Sequence, residues 1–240
     1  MAKAIIIGAT SGIGLALARV LAREGYALGL AGRRDEVLAE LQRTLPGAVV
    51  SRAIDISQPE EAARRLELLI GDLGGLDLLI ICSGIGEHNQ ELAWEPERDT
   101  IAVNVAGFTA MATAGYRYFR QQGHGHLVGI SSVGGLRGSR WALAYAASKA
   151  FVINYLEGLR ILAHHQQLPR LYITDIRPGF VETPMTAGQQ GMFWVAPVDK
   201  AAAQIYAAIR NKARSAYITR RWAFMAWVVR HLPARVLERM

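Results

Sequence analysis

Tyr145 and Lys149 stand four residues apart in Tyr-Ala-Ala-Ser-Lys, with Ser132 thirteen residues upstream and a glycine-rich turn beginning at Gly8. On a helix, positions i and i+4 share a face, so the phenol and the ammonium can converge on one small volume. A tyrosine of ordinary pKa, about 10, is a poor acid or base at neutral pH. A neighbouring cation favours the phenolate and brings that pKa toward the working range. Alone, Y-x-x-x-K is too short to separate chemistry from an accident of helix neighbours. The turn at the head of the chain supplies the context. An aliphatic run over 4–7 enters Gly8-Ala9-Thr10-Ser11-Gly12-Ile13-Gly14 and then an apolar helix. Glycines there permit a tight turn and close backbone approach to a pyrophosphate, which can rest on the helix N-terminus. The spacing is G-x-x-x-G-x-G, not the commoner G-x-G-x-x-G. About twenty residues on, where an NAD site would carry an acidic ribose ligand, the chain has Arg33 and Arg34. Two guanidiniums suit the 2′-phosphate of NADP, so NADP(H) is expected in preference to NAD(H). Asp35 reads instead as the start of a helix.

Short apolar runs alternating with helical patterns must position these groups, the signature of a parallel sheet with crossover helices. Strands are expected over 4–8, 27–31, 48–54, 76–82, 126–131, 171–176 and 215–219, apolar on both faces as in a sheet covered on each side. Helices are expected over 13–23, 35–45, 59–73, 98–121, 143–165 and 198–210. With 240 residues and no linker or repeat, residues 1–240 read as a single α/β domain. One cysteine, Cys82, excludes a disulfide framework and fits a reducing compartment. No leader-like apolar stretch opens the chain, and no run of 18 apolar residues offers a membrane span, so a cytoplasmic location is expected. The net charge of +7 gathers in the last thirty residues rather than on a nucleic-acid-reading motif. No nucleic-acid partner is expected.

With those elements laid out, the chain resembles the short-chain dehydrogenase/reductase superfamily, in its single-domain branch of roughly 250 residues, from about Lys3 to Lys212. Gly8 to Gly14 resembles the family's T-G-x-x-x-G-x-G turn, and Asp55-Ile56 its Asp-Val/Ile pair against the adenine ring. Asn104 resembles the active-site asparagine, and Ser132, Tyr145 and Lys149 the catalytic Ser, Tyr and Lys. Arg177-Pro178-Gly179-Phe180-Val181-Glu182-Thr183 resembles the P-G-x-V-x-T segment that touches the nicotinamide carboxamide. The resemblance implies a Rossmann-type doubly wound sheet of about seven strands in the order 3-2-1-4-5-6-7. It also implies hydride transfer between a nicotinamide and a carbonyl or alcohol carbon, without a metal. Tyr145 would be the general acid/base, Ser132 would hold the substrate oxygen, and Asn104 would organise a water relay. Lys149 would lower the tyrosine pKa and bind the nicotinamide ribose. The cofactor contacts implied are Gly8, Thr10, Ser11, Gly12, Ile13, Gly14, Arg33, Arg34, Asp55, Ile56, Ser83, Gly84, Asn104, Tyr145, Lys149, Pro178, Gly179, Val181 and Thr183. A homodimer or homotetramer is implied through the long helices at 98–121 and 143–165.

The chain departs from the family in two places: Ile81-Cys82-Ser83-Gly84 stands for N-N-A-G, and Ile7 for the threonine of the first turn. Other candidates read as structure. His124 and His126 precede a strand as a turn, His164 and His165 end a helix, and Cys82 is a small buried apolar side chain. Residues 183–197, with Gly188, Gln189, Gln190, Gly191, Met192, Phe193 and Trp194, read as a substrate loop whose apolar content means either an apolar substrate or simple packing. Residues 219–240 form a basic amphipathic tail. Arg220, Arg221, Trp222, Phe224, Met225, Trp227 and Arg230 are followed by Pro233, which should end the helix, and by Arg235 and Arg239. Packing on the domain, a subunit contact and peripheral insertion at an anionic membrane all remain open for it. A non-catalytic NADP-binding sensor remains the alternative to an enzyme.

Overall fold

Alternation along the first strand shows why the chain folds in layers. In the computed structural model, which describes residues 1–188, 191–233 and 236, Ala4 and Ile6 face one hydrophobic cluster while Ile5 and Ile7 face another. Successive side chains of a strand point to opposite faces. Ile5, Ile6 and Ile7 are all fully buried, so both faces must be covered. Burial of each stabilises by roughly 1.5–3 kcal/mol. The strands are β1 (Lys3–Ile7), β2 (Ala27–Gly32), β3 (Val49–Ala53), β4 (Leu78–Ile81), β5 (Gly125–Ile130), β6 (Leu171–Pro178) and β7 (Ser215–Ile218). They form one parallel sheet in the order β3-β2-β1-β4-β5-β6-β7, the doubly wound topology expected.

Helices α1 (Gly12–Arg23), α2 (Asp35–Thr44) and α7 (Val198–Arg210) pack through Leu17, Leu38 and Ile205 on the Ile6 face. Helices α3 (Pro59–Leu73), α5 (Phe108–Gln122) and α6 (Leu143–His165) pack through Leu66, Met111 and Leu156 on the Ile7 face. Two elements differ from the sequence reading. The helix expected over 98–121 begins earlier, as α4 (Trp94–Ile101), and reaches α5 through a π-helical segment, Ala102–Gly107. That segment crosses the β3–α3 connection so closely that a Cβ on Gly107 would collide with the Ile56 carbonyl oxygen. His126 lies inside β5 rather than in the turn before it, buried against the Thr174 hydroxyl at 2.8 Å. Burial, aided by the Lys212 charge, lowers its pKa to about 4 and keeps the ring neutral. The tail forms a further helix, α8 (Arg221–His231), which stops before Pro233. Gln189, Gln190, Arg235 and Arg239 lie outside the described residues.

The observed β1, β4 and β5 each stop one residue short of the expected ends, at Ile7, Ile81 and Ile130. Gly8, Cys82 and Ser131 thereby leave the ladder and begin the loops that shape the site. In contrast, β6 runs two residues further, because Arg177 and Pro178 pair with Tyr217 and Ile218 of β7. Asp175 and Arg177 then share one face of β6. The fully buried Asp175 accepts from Arg177 Nε at 2.6 Å and from Ser131 Oγ at 2.5 Å, and Arg177 also donates to the Tyr217 hydroxyl at 3.1 Å. One carboxylate thus ties the ends of β5, β6 and β7. Removing one member of a buried ion pair leaves an uncompensated charge and costs roughly 3–5 kcal/mol, whereas replacing both with apolar groups costs far less. Asp175→Asn should therefore lower the unfolding free energy by about 3 kcal/mol. Chemical denaturation should show a smaller loss for the double replacement Asp175→Leu, Arg177→Met than for the single one.

Candidate active site

The order of the sheet reverses between β1 and β4, and in open α/β sheets the crevice at such a switch point is where ligands bind. A cavity of about 430 Å³ opens there. It is lined by Gly8, Thr10, Ser11, Gly12, Ile13, Arg33, Arg34, Asp55, Ile56, Ser83, Gly84, Ser132, Tyr145, Lys149, Pro178, Gly179, Val181 and Thr183. Of the catalytic and cofactor-contact residues expected from the sequence, Gly14 and Asn104 are absent from its walls. From the β2 end to the β5 end it crosses three strand spacings, roughly 14 Å.

The floor of the cavity is the first turn. Gly8 adopts φ +93°, a left-handed conformation that only glycine adopts without strain, and its nitrogen and that of Ala9 both donate to the Ala31 carbonyl. Gly14 serves packing: a Cβ there would collide with the Gly8 carbonyl oxygen, so its hydrogen lets α1 close onto β1. Ser11 precedes α1 without capping it through its side chain, and no acidic residue occupies the first turn. In α2 and α3, Asp35, Glu36, Glu60 and Glu61 fill the corresponding turn. The positive end of α1 is therefore left for an anion from outside the chain.

At the β2 end, Arg34 folds back onto the turn, donating to Thr10 Oγ1 at 2.9 Å and to the Thr10 carbonyl at 3.0 Å. Arg33 is exposed on the same wall and has no hydrogen bond among the described residues. Asp55 closes its own turn, accepting from Ser57 N at 3.0 Å, while Ile56 is buried beside it. The departure at Ile81-Cys82-Ser83-Gly84 costs no backbone pairing there: Cys82 and Ser83 both donate to the Ile7 carbonyl, at 2.8 and 3.0 Å.

At the β5 end, Ser132 follows the strand, accepts from Gly134 N at 3.0 Å and lines the cavity with Tyr145. Lys149 is buried on α6, donates to the Ile130 carbonyl at 3.0 Å, and lies 5.6 Å from the centre of the Tyr145 ring. The electrostatics differ from the expectation that Lys149 would lower the tyrosine pKa. Burial pushes the Tyr145 phenol up, opposed by its bond to Ser132. Lys149 is itself lowered to about 8 by burial, opposed by the Asp175 carboxylate. Desolvation raises the phenol and lowers the ammonium because in each it disfavours the charged form. Burial also pushes the neighbouring Cys82 thiol up to about 12.

Asn104 sits in the π-helical segment, and its side chain is engaged in protein contacts. Its Oδ1 accepts from Ile85 N at 2.9 Å, and its Nδ2 donates to the Ile85 carbonyl at 2.7 Å and to Ser148 Oγ at 3.0 Å. Ser148 in turn donates to the Tyr145 carbonyl at 2.7 Å. A chain of hydrogen bonds thus links the loop after β4 to the helical turn that carries Tyr145. The side chain of Asn104 thus positions the loop after β4 against the helical turn that carries Tyr145. Sequence reasoning missed Ser148, Ser131, Asp175 and Gly86. Ser148 stands inside the Y-x-x-x-K motif, three residues from Tyr145, and was open to the same helical argument.

The segment after β6 completes the wall, and the loop over 183–197 is closed at its base by a bridge between Val181 and Ala196. Met185 lines the cavity, whereas Phe193 and Trp194 turn away and pack on Trp222 of α8, at ring separations of 5.2 and 5.9 Å. The aromatic content of this loop is thus used in packing. Among the described residues, no cluster of three or more metal-ligating side chains is present and no helix is long and apolar enough to cross a membrane.

Comparison with known proteins agrees with this arrangement. The model of the short chain dehydrogenase family matches residues 2–192. An uncharacterized oxidoreductase of Myxococcus xanthus is 36% identical over 77% of this chain and 74% of its own length. Another, of Mycobacterium tuberculosis, is 33% identical over 99% of this chain and 96% of its own. A 3-ketoacyl-(acyl-carrier-protein) reductase from Brucella melitensis, complexed with NADH, superposes with a TM-score of 0.81 at 22% identity, covering 90% of this chain and 96% of that one. A short-chain dehydrogenase from Sphingobium yanoikuyae in complex with NADPH superposes equally well, at 0.81 and 23% identity, covering 98% and 97%. A glycine turn, an uncapped α1 and the convergence of Ser132, Tyr145 and Lys149 thus belong to a recognised lineage: the chain is a member of the short-chain dehydrogenase family of oxidoreductases.

Proposed function

We propose that the protein is an NADP(H)-dependent oxidoreductase that interconverts a carbonyl and an alcohol, with Tyr145 as general acid and base. The observation that carries this reading is a single cavity with Arg33 and Arg34 at one end and Ser132, Tyr145 and Lys149 at the other. The uncapped N-terminus of α1 lies between them, suited to a pyrophosphate. The two superposed enzymes were solved with NADH and with NADPH, so the fold accepts either coenzyme, and the paired guanidiniums favour the phosphorylated one.

A bound nicotinamide would supply or accept the hydride. Tyr145 gives its proton to the carbonyl oxygen, and the burial that keeps the phenol protonated suits it to reduction. Ser132 holds the same oxygen where negative charge gathers. The Lys149 ammonium, fixed by the Ile130 carbonyl, offers its remaining hydrogens to ribose hydroxyls and stabilises the phenolate left behind. A cytoplasmic setting, where NADP is kept largely reduced, makes carbonyl reduction the working direction. The substrate is a small carbonyl compound, and α5 with α6 supplies the face for a homodimer or homotetramer.

Removing the proton donor should cost on the order of 10²–10⁴ in kcat, the usual worth of general acid catalysis. Tyr145→Phe is therefore expected to lose NADPH-dependent turnover in a screen of ketones, steroids and acyl-thioesters while its Kd for NADPH changes little. Retained turnover refutes the role, and NADPH binding without turnover by the unaltered protein would favour a sensor instead. Arg34 also holds Thr10, so Arg33→Ala is the cleaner probe of coenzyme choice. Loss of one charge-assisted hydrogen bond of ~1.5 kcal/mol should raise the KM for NADPH about tenfold and leave that for NADH unchanged.

The pH dependence follows from Lys149. Its charged form is present below about 8 and is lost as pH rises through that value. The kcat/KM for NADPH reports the free enzyme and should fall along an alkaline limb near pH 8. A limb confined to the range above 10 would assign the titration to Tyr145.

A further inference from the structure

Helix α8 carries large apolar side chains on two faces, and only one face is used to fold. Inward, Trp222 and Ala226 are buried, with the Trp222 ring 5.5 Å from Phe180 and 5.2 Å from Phe193. Two arginines secure the helix at its ends. Arg221 donates to the Trp194 carbonyl at 3.1 Å, and Arg137 donates to the carbonyls of Val229 at 3.0 Å and Leu232 at 2.5 Å. Outward, Phe224 and Trp227 are 63% and 61% exposed, stacked on each other with ring centres 6.5 Å apart. Neither contributes to the attachment of the helix. Two large aromatics left in water on a helix that is already anchored point to a partner.

Charge identifies the partner. No acidic residue occurs in α8, and Arg220 and Arg230 stand four residues before Phe224 and three after Trp227. At those separations the arginines bracket the aromatic pair along the same exposed stripe. His231 adds a ring 5.0 Å from Trp227. A second copy of this chain across a two-fold axis would bring this cationic stripe against itself, pairing like charges around the rings. An anionic bilayer satisfies both components: the rings settle at the headgroup level while the guanidiniums reach lipid phosphates. At 11 residues α8 is only ~16 Å long, about half the hydrocarbon thickness, so it can lie on a membrane but not span it.

We propose that the Phe224–Trp227 face of α8, bracketed by Arg220 and Arg230, docks the protein on anionic lipid surfaces. The docked helix is the one whose Trp222 lies against Gly179, a residue of the cavity wall. The active site would then stand within about one helix diameter, ~10 Å, of the lipid.

The test uses the full-length protein, because removing the tail would also uncover Gly179. Co-sedimentation is measured with vesicles of phosphatidylglycerol and phosphatidylcholine, and with phosphatidylcholine alone. The unaltered protein should bind the anionic vesicles, weaken in ~1 M salt where the Debye length is ~3 Å, and bind the zwitterionic ones poorly. Phe224→Ser, Trp227→Ser should reduce anionic binding at least about tenfold with NADPH affinity and melting temperature unchanged. Equal binding by the double variant, or no preference for anionic lipid, overturns the proposal. Loss of an oligomer in the variant by light scattering would assign the face to a second copy, and capture of single-stranded DNA without vesicle binding would assign it to nucleic acid. Either result also overturns it.

Discussion

The structure depends on burying one ammonium. Lys149 must leave water to reach the cavity wall, and among the described residues the hydrogen-bond partner of its nitrogen is the Ile130 carbonyl where β5 ends. Two loops, those after β4 and β5, crowd that helical turn at three glycines, each without a side chain. A Cβ on Gly84 would stand 3.1 Å from Lys149 Nζ, one on Gly135 would stand 2.5 Å from the Lys149 backbone, and one on Gly86 would collide with the Tyr145 ring. Such close approach leaves little room around the Tyr145 and Lys149 side chains. The same closeness removes solvent, and that is why burial dominates the pKa of both.

A buried cation in that position needs a counter-charge, and the fully buried Asp175 supplies one. Its charge favours the protonated form of Lys149, though not enough to cancel desolvation. Asp175 is in turn held by Arg177 and Ser131, so the residue adjoining Ser132 answers to the same carboxylate that acts on Lys149. Ser132 and Lys149 are thus coupled through β6 rather than through direct contact. The expectation of a simple Lys149–Tyr145 pair omitted this third charge, which lies 26 residues beyond Lys149 in the chain and on another strand.

All seven strands, the glycine turn and the Arg33–Arg34 pair were legible because each rests on a local signal, whereas the sheet order and most of the cavity wall followed from the resemblance to the family. What could not be read was set by contact between distant segments. The π-helical segment around Asn104 arises where one helix meets the Ile56 backbone, and its residues Ala-Val-Asn-Val-Ala-Gly carry no marker of their own. Asp175 and Arg177 look like surface charges on an edge until β7 is known to cover them. Ser148 was legible in principle, since the i, i+3 relation to Tyr145 needed only the helix. The strand ends at Gly8, Cys82 and Ser131 were overrun for a related reason: apolarity or small size continues one residue past the point where the backbone turns away.

The tail shows how far packing can override polarity. Trp222 buries its indole N–H with no acceptor among the described residues, at a cost of ~1–3 kcal/mol. Against this stand three aromatic neighbours, Phe180, Phe193 and Trp194, each pair adding ~0.5–1.5 kcal/mol beyond the area buried. Burial of the ring itself adds several kcal/mol more at ~25 cal/mol per Å². The sum favours the docked indole, so α8 is held as a wall element and not as a loose extension. A Cβ on Gly179 would collide with that indole, so the backbone of this cavity-wall residue rests directly on Trp222. Whatever binds the outer face of α8 therefore acts on a helix only one ring away from the cavity wall.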